Sequence, residues 1–238
     1  MTSQLPLALR WPRRQRFEYF YPGANAAALA CVRRAAEAPD AAWPFVTGGQ
    51  GSGKTHLLIA ACQAATAQGR RAQYVPLASL GANAEAAIRG GVGADVLALD
   101  DLHAMAGHAA AEHALFDLYN RARAEGVTLL FASRETPSQL ALDLPDLRSR
   151  LGACTLAVLK PLDEGERRQV LRAHAEARGI RLDDAVLDWL FTHQARDLGA
   201  LHDLLERIDV ASLAAHRRIT IPFLRDFLRH NGASPHAT

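Results

Sequence analysis

The stretch Gly48-Gly49-Gln50-Gly51-Ser52-Gly53-Lys54-Thr55, GGQGSGKT, governs how the rest of the chain reads. It satisfies G-x-x-x-x-G-K-[ST], and its setting suits the pattern: an apolar run, WPFVT (43–47), precedes it and a helical run, HLLIAACQAATAQ, follows. Glycines let consecutive backbone N–H groups turn inward around phosphate oxygens, and a helix start adds partial positive charge at the same place. Gly48, Gly51, Ser52 and Gly53 form the cradle, Lys54 reaches the β- and γ-phosphates, and the Thr55 hydroxyl can ligate Mg²⁺. A chance Gly-rich turn would not also sit between a strand and a helix.

Such a loop needs acidic partners, and VLALDD (96–101) supplies them. A buried strand ending in carboxylates sets Asp100 beside the loop to hold the Mg²⁺ shell, with Asp101 placed to orient an attacking water. Further apolar runs at 72–77, 95–99, 127–132 and 154–159 alternate with helical stretches near 54–68, 83–89, 110–125 and 137–143, behind an Ala-rich helix at about 25–38. Alternation of this kind predicts an α/β fold with a parallel sheet covered on both faces.

After Lys160-Pro161 no further strand is convincing. Asp163 and Glu166 make a capping box that opens a helix ending at Gly179. A second helix starts near Asp183, a third spans about 197–215 with Leu198, Leu201, Leu205 and Ile208 on one face, and a last begins at Thr220. The expected organisation is an extended peptide (1–10), an α/β body (11–161), a small all-helical lid (162–230) and a tail (231–238).

Composition narrows the classes. With 238 residues, 49% of them hydrophobic, the chain can bury one core or two small ones, and a formal charge of +2 does not demand a nucleic-acid partner. Cys31, Cys62 and Cys154 lack metal or disulfide spacing and point to a reduced, cytoplasmic protein. No apolar run approaches the ~18–20 residues of a membrane span. Arg10, Arg13, Arg14 and Arg16 could touch nucleic-acid phosphates weakly, though a solvated surface explains them more simply. His103, His108 and His113 lack the spacing of a zinc site and read as ordinary helix and loop residues.

The combination of phosphate loop, DD-ending strand, late arginine and helical lid resembles an AAA+ module. FEYFYPGAN (17–25) and DDLHAMAG (100–107) resemble the ATPase part of the bacterial replication initiator DnaA, and the likeness runs from about residue 15 to 230. The chain stops soon after its lid, at Thr238, so the initiator's DNA-reading domain is not expected. FDLYNR (116–121) and LPDLRSRL (144–151) are similar to the Hda family, regulatory inactivators of that initiator. Family members bind the DNA sliding clamp through an N-terminal QLxLxL peptide, and QLPLAL (4–9) fits it, with Gln4, Leu5, Leu7 and Leu9 at the fixed positions.

The resemblance implies more. Arg150 matches the arginine finger, pointed at nucleotide held by a neighbouring subunit, with Arg148 the fallback. Arg196 matches the lid arginine that contacts nucleotide phosphates, and Ser133 the polar strand-end sensor, although Arg134 follows where an acidic residue is expected. The implied cofactors are ADP or ATP with Mg²⁺. The implied partners are the clamp's beta subunit and DnaA, whose ATP hydrolysis the chain would stimulate, and a homo-oligomer is left open. Asp101 is one methylene shorter than the Glu of many relatives, so the implied intrinsic ATPase is weak. Rival readings are an independent ATPase such as a helicase loader or transposition helper, a non-catalytic clamp adaptor, and, more distantly, a small-molecule kinase.

Overall fold

The computed structural model describes residues 11–12, 15–91, 93–193, 198–215 and 219–231. The QLPLAL peptide, Arg10, Arg13, Arg14 and Arg196 lie outside the described residues. The chain divides between Pro161 and Leu162 into two compact units.

The first unit opens with single 3-10 turns at Phe17–Tyr19 and Gly23–Asn25, then runs α1 (Ala26–Glu37), β1 (Pro44–Thr47), α2 (Lys54–Ala67), β2 (Ala72–Pro76), α3 (Leu77–Leu80), α4 (Ala84–Arg89), β3 (Val96–Asp100), α5 (Ala109–Glu125), β4 (Thr128–Ser133), α6 (Pro145–Gly152) and β5 (Thr155–Val158). All pairings are parallel and the strand order is β2-β3-β4-β1-β5. β1, β3 and β4 are buried along their whole length, because helices cover both faces.

Alternate residues serve the two layers. Phe45, Leu97, Leu99 and Phe131 face a core with Leu115, Leu118 and Tyr119 of α5. Val46, Ala98, Ala132 and Ala157 face Val32 of α1 and Leu58, Ala61 and Cys62 of α2. Large rings fill the first layer, whereas small side chains let the Ala-rich helices approach the second closely. The fully buried β1, β3 and β4 are joined by register pairs such as Thr47↔Ser133 and Leu99↔Phe131. Their C-terminal ends therefore lie side by side, the edge at which open α/β sheets bind ligands.

One expected helix is absent. Residues 137–143 form turns, and the helix of this region is α6, which begins at Pro145. Gln139 Oε1 accepts from both the N–H and the hydroxyl of Thr136, which closes a single turn, and the chain leaves that turn where the Leu142 N–H bonds the carbonyl of Leu140. Leu144, held extended ahead of Pro145, fixes the later start. Leu140 and Leu142 reach the first layer's core from an irregular segment.

The second unit contains α7 (Glu164–Glu176), α8 (Asp184–His193), α9 (Leu198–Ala215) and α10 (Ile221–Asn231). The expected capping box opens α7: Asp163 accepts from Glu166 N at 2.7 Å and Glu166 accepts from Asp163 N at 2.9 Å. Leu171, Leu187, Leu205, Ile208 and Leu224 form its separate core. No described helix is long and apolar enough to cross a membrane.

Candidate functional site

The loop from Gly48 to Gly53 joins β1 to α2 and depends on two glycines for distinct reasons. A Cβ on Gly48 would stand 2.6 Å from Leu159 O and 2.8 Å from Ser52 Oγ, so the backbone there runs tight against the end of β5. Gly53 has φ +97 and precedes α2 directly, and a Cβ on it would meet Phe20 Cε2 at 2.7 Å. The aromatic of the N-terminal segment thus covers the loop's last turn. Phe20 belongs to the FEYFYPGAN segment (17–25) singled out in the sequence.

Lys54 is buried and donates from Nζ to Gly48 O at 2.7 Å and Gly49 O at 2.8 Å. Burial depresses its pKa, while the carboxylates of Asp100 and Asp101 pull it back up and the Arg134 guanidinium lowers it further. Ser52 Oγ is buried without a hydrogen-bond partner among the described residues. An orphaned hydroxyl, a lysine folded into the loop and the start of a 14-residue helix together fit a phosphate group.

Asp100 is wholly buried and accepts three hydrogen bonds: Thr55 Oγ1 at 2.6 Å, Tyr74 Oη at 2.8 Å and the Asp101 N–H at 2.9 Å. The pair expected to share Mg²⁺, Thr55 and Asp100, therefore touch directly. An oxygen-only carboxylate and hydroxyl set suits a hard divalent cation. Tyr74, which the sequence did not mark, fixes the carboxylate from β2, and its phenol is pushed upward by burial and by the Asp100 charge. Asp101 is the one non-glycine residue with positive φ among the described residues, at φ 56 and ψ 47. Short polar side chains tolerate the cost of that left-handed turn best.

Ser133 ends β4 fully buried, and its hydroxyl accepts from Glu135 N at 3.3 Å. Arg134 beside it is exposed and close enough to Lys54 to depress it. The sequence had registered Arg134 only as a departure from pattern. Asn25 makes a two-point bridge to Lys160, giving Nδ2–H to its carbonyl at 3.0 Å and accepting its N–H at 2.7 Å.

Arg150 lies exposed on α6, with Cζ 5.5 Å from the Phe116 ring centre and 5.6 Å from that of Tyr119. Tyr119 packs edge-on to Trp43 at 4.8 Å, and Arg123 stacks over Trp43 at 4.0 Å, so the platform is itself braced. Arg148 instead turns back to donate to the carbonyl of Leu142. The described residues contain no group of three His, Cys, Asp or Glu side chains able to hold a metal, and His113 bonds the carbonyl of Ala109 in its own helix.

Comparison with known proteins agrees with this geometry. The family of the bacterial DnaA ATPase domain matches residues 12–157, and the Hda lid domain matches residues 163–228. An uncharacterized protein of Haemophilus influenzae is 37% identical over 231 residues, covering 96% of this chain and 99% of its own. Domain III of the Thermotoga maritima replication initiation protein DnaA superposes with a TM-score of 0.73 at 24% identity, over 92% of this chain and 99% of that one. AMPPCP-bound DnaA from Aquifex aeolicus superposes with a TM-score of 0.71 at 22% identity, over 86% of this chain and 67% of that one. With a DnaA-type ATPase body matched over most of its length and an Hda lid after it, the chain belongs to the Hda-like AAA+ proteins.

Proposed function

We propose that this chain is a regulator of replication initiation that binds an adenine nucleotide and stimulates ATP hydrolysis by DnaA. The observation that carries the reading is Arg150, a guanidinium set on two ring faces with no ion pair among the described residues. A cation left without an ion pair among the described residues, in a family built around bound nucleotide, suits a finger directed at a neighbour's nucleotide.

The phosphate cradle of Gly48, Gly51, Ser52, Gly53, Lys54 and Thr55 would hold the chain's own nucleotide, and the likeness to an AMPPCP-bound DnaA supports that assignment. Thr55 and Asp100 would hold Mg²⁺, and Asp101 would orient water for a slow intrinsic hydrolysis, with ADP the preferred resident. Bound Mg²⁺ would supply charge neutralisation at the phosphates. Ser133 and Arg196 are kept as nucleotide contacts of the resemblance, and the exposed Arg134 adds a cation beside Lys54. Residues 4–9 would tether the chain to the sliding clamp by extended-peptide capture, with alternate leucines filling pockets.

The test is hydrolysis of DnaA-bound ATP with and without clamp loaded on DNA. The chain is expected to accelerate it, Arg150→Ala to abolish most of a stimulation of the order of 10³-fold or more, and loss of residues 1–9 to remove the dependence on clamp. Full stimulation by Arg150→Ala would reject the finger and favour an adaptor. Equal rates with and without residues 1–9 would reject the tether.

A further inference from the structure

Glu112 is a carboxylate with no exposed surface, in the first turn of α5. It has no ion pair among the described residues. Backbone groups satisfy it instead: Oε1 accepts from Gly107 N at 2.8 Å and Asp143 N at 3.1 Å, and Oε2 accepts from Leu144 N at 2.8 Å. Gly107 lies on the loop that follows the acidic pair, at φ +78, a conformation that keeps glycine there. Asp143 and Leu144 are the last residues before α6, the helix that carries Arg150. One buried side chain therefore joins the loop behind Asp100 and Asp101 to the entry of the finger helix.

The same face of α5 continues from this clasp to the platform. Phe116 is four residues and Tyr119 seven residues after Glu112, positions that stack along one side of a helix. Glu112 grips the start of α6 and the two rings receive the guanidinium near its end. Apolar contacts of Leu147 and Leu151 fix how deeply α6 is buried but, being non-directional, leave its tilt undetermined. Hydrogen bonds to the two preceding N–H groups supply the missing direction.

We infer that Glu112 is a positioning residue for Arg150, setting the aim of the finger and linking it to the loop behind the acidic pair. The inference rests on the finger reading above. Arg150 lies six residues beyond Leu144, about 9 Å along a helix. A tilt of about 10° would move it by more than 1 Å, a displacement that can cost on the order of 10²-fold in a catalysed rate.

The test uses the full chain with ATP-charged DnaA and DNA-loaded clamp, titrated to saturation. Glu112→Gln puts an amide N–H₂ against at least one backbone N–H donor and should lower the plateau rate by about 10- to 100-fold. The half-saturating concentration should stay unchanged. Glu112→Asp keeps the charge and gives up one methylene of reach, so it should fold and show an intermediate plateau. A variant that merely loses folded protein would raise the half-saturating concentration and leave the plateau intact, and that result would overturn the inference. So would a full plateau in either folded variant. In the unaltered chain the amide protons of Gly107, Asp143 and Leu144 should exchange slowly, and rapid exchange there would dismiss the clasp without any variant. Arg150→Ala separates the two readings: if it stimulates fully, the finger and the clasp fall together. If it is inactive while Glu112→Gln is fully active, only the clasp falls.

Discussion

Replacing Gly48 by alanine places a methyl group 2.6 Å from the backbone oxygen of Leu159 and 3.1 Å from its Cβ. The first distance is several tenths of an ångström inside van der Waals contact, and the atom it meets is main chain at the end of β5, which cannot rotate aside. The phosphate loop must move instead. Overpacking of this kind costs about 1–3 kcal/mol of stability. For a chain of this size that corresponds to a melting shift of roughly 2–12 °C. The larger effect falls on the cradle. Displacing the loop enough to break one charge-assisted N–H bond to a phosphate oxygen costs about 1.5–3 kcal/mol, a rise in nucleotide Kd of roughly 10- to 150-fold. Gly49→Ala is the internal control, because nothing lies within 4 Å of its added Cβ. Its Kd should stay within about 0.5 kcal/mol of the parent. Titration with a fluorescent adenine nucleotide, alongside a thermal melt, reads both quantities. Equal affinities for the two variants would refute the argument that close packing on Leu159 sets the loop.

Three further outcomes follow from particular residues. Asp101→Asn should melt close to the parent, since Asn tolerates the left-handed turn, whereas Asp101→Val should lose about 1–3 kcal/mol in a denaturant titration; equal losses would remove the strain argument. Asp163→Ala removes the cap of α7 and should cost about 0.5–2 kcal/mol, seen as faster amide exchange across Glu164–Glu176 with β3 and β4 unaffected. Burial pushes the Cys62 thiol from 9.0 up to about 12 and that of Cys154 to about 11. The folded chain therefore keeps protons that the unfolded chain releases above 9.0, so this stability is whole below that pH and is lost as pH rises through about 11 and about 12. Cys62→Ala should flatten the fall above pH 9.0, and an unchanged slope in alkaline melts would contradict it.

What the sequence disclosed, and what it withheld, divides by how far apart the cooperating atoms lie along the chain. The GGQGSGKT loop is eight consecutive residues whose expected chemistry is mostly backbone, so pattern and setting alone mark it. The strands of the buried sheet were equally plain, because helices on both faces force continuous apolar runs. Asp100 was found, but its three donors come from β2, α2 and its own neighbour, and nothing in the spelling of Tyr74 marks it as one of them. Glu112 was invisible for the same reason. A glutamate in a helix's first turn reads as an ordinary match to the helix dipole, and its acceptor role depends on N–H groups 31 and 32 residues away. The helix expected at 137–143 stops after one turn, where the Leu142 N–H bonds the carbonyl of Leu140, and Pro145 dictates the next start.

The two arginines of α6 show how the withheld part bears on function. Arg148 and Arg150 are two residues apart, which on a helix turns them about 200° from one another, so they cannot present the same way. Both are exposed, and composition and spacing leave open what each of them rests on. That depends on the loop before the helix, where Leu142 offers Arg148 a carbonyl, and on α5, where Phe116 and Tyr119 offer Arg150 two rings. Glu112, on the same helix as the rings, accepts from Asp143 and Leu144 just beyond Leu142. Under the proposed finger reading, the choice between the two arginines is a property of the helix pair rather than of the LRSR tetrapeptide. Arg148→Ser gives up only the bond to Leu142 and should leave stimulated hydrolysis of DnaA-bound ATP intact, whereas Phe116→Ala removes one of the rings under Arg150 and should lower it.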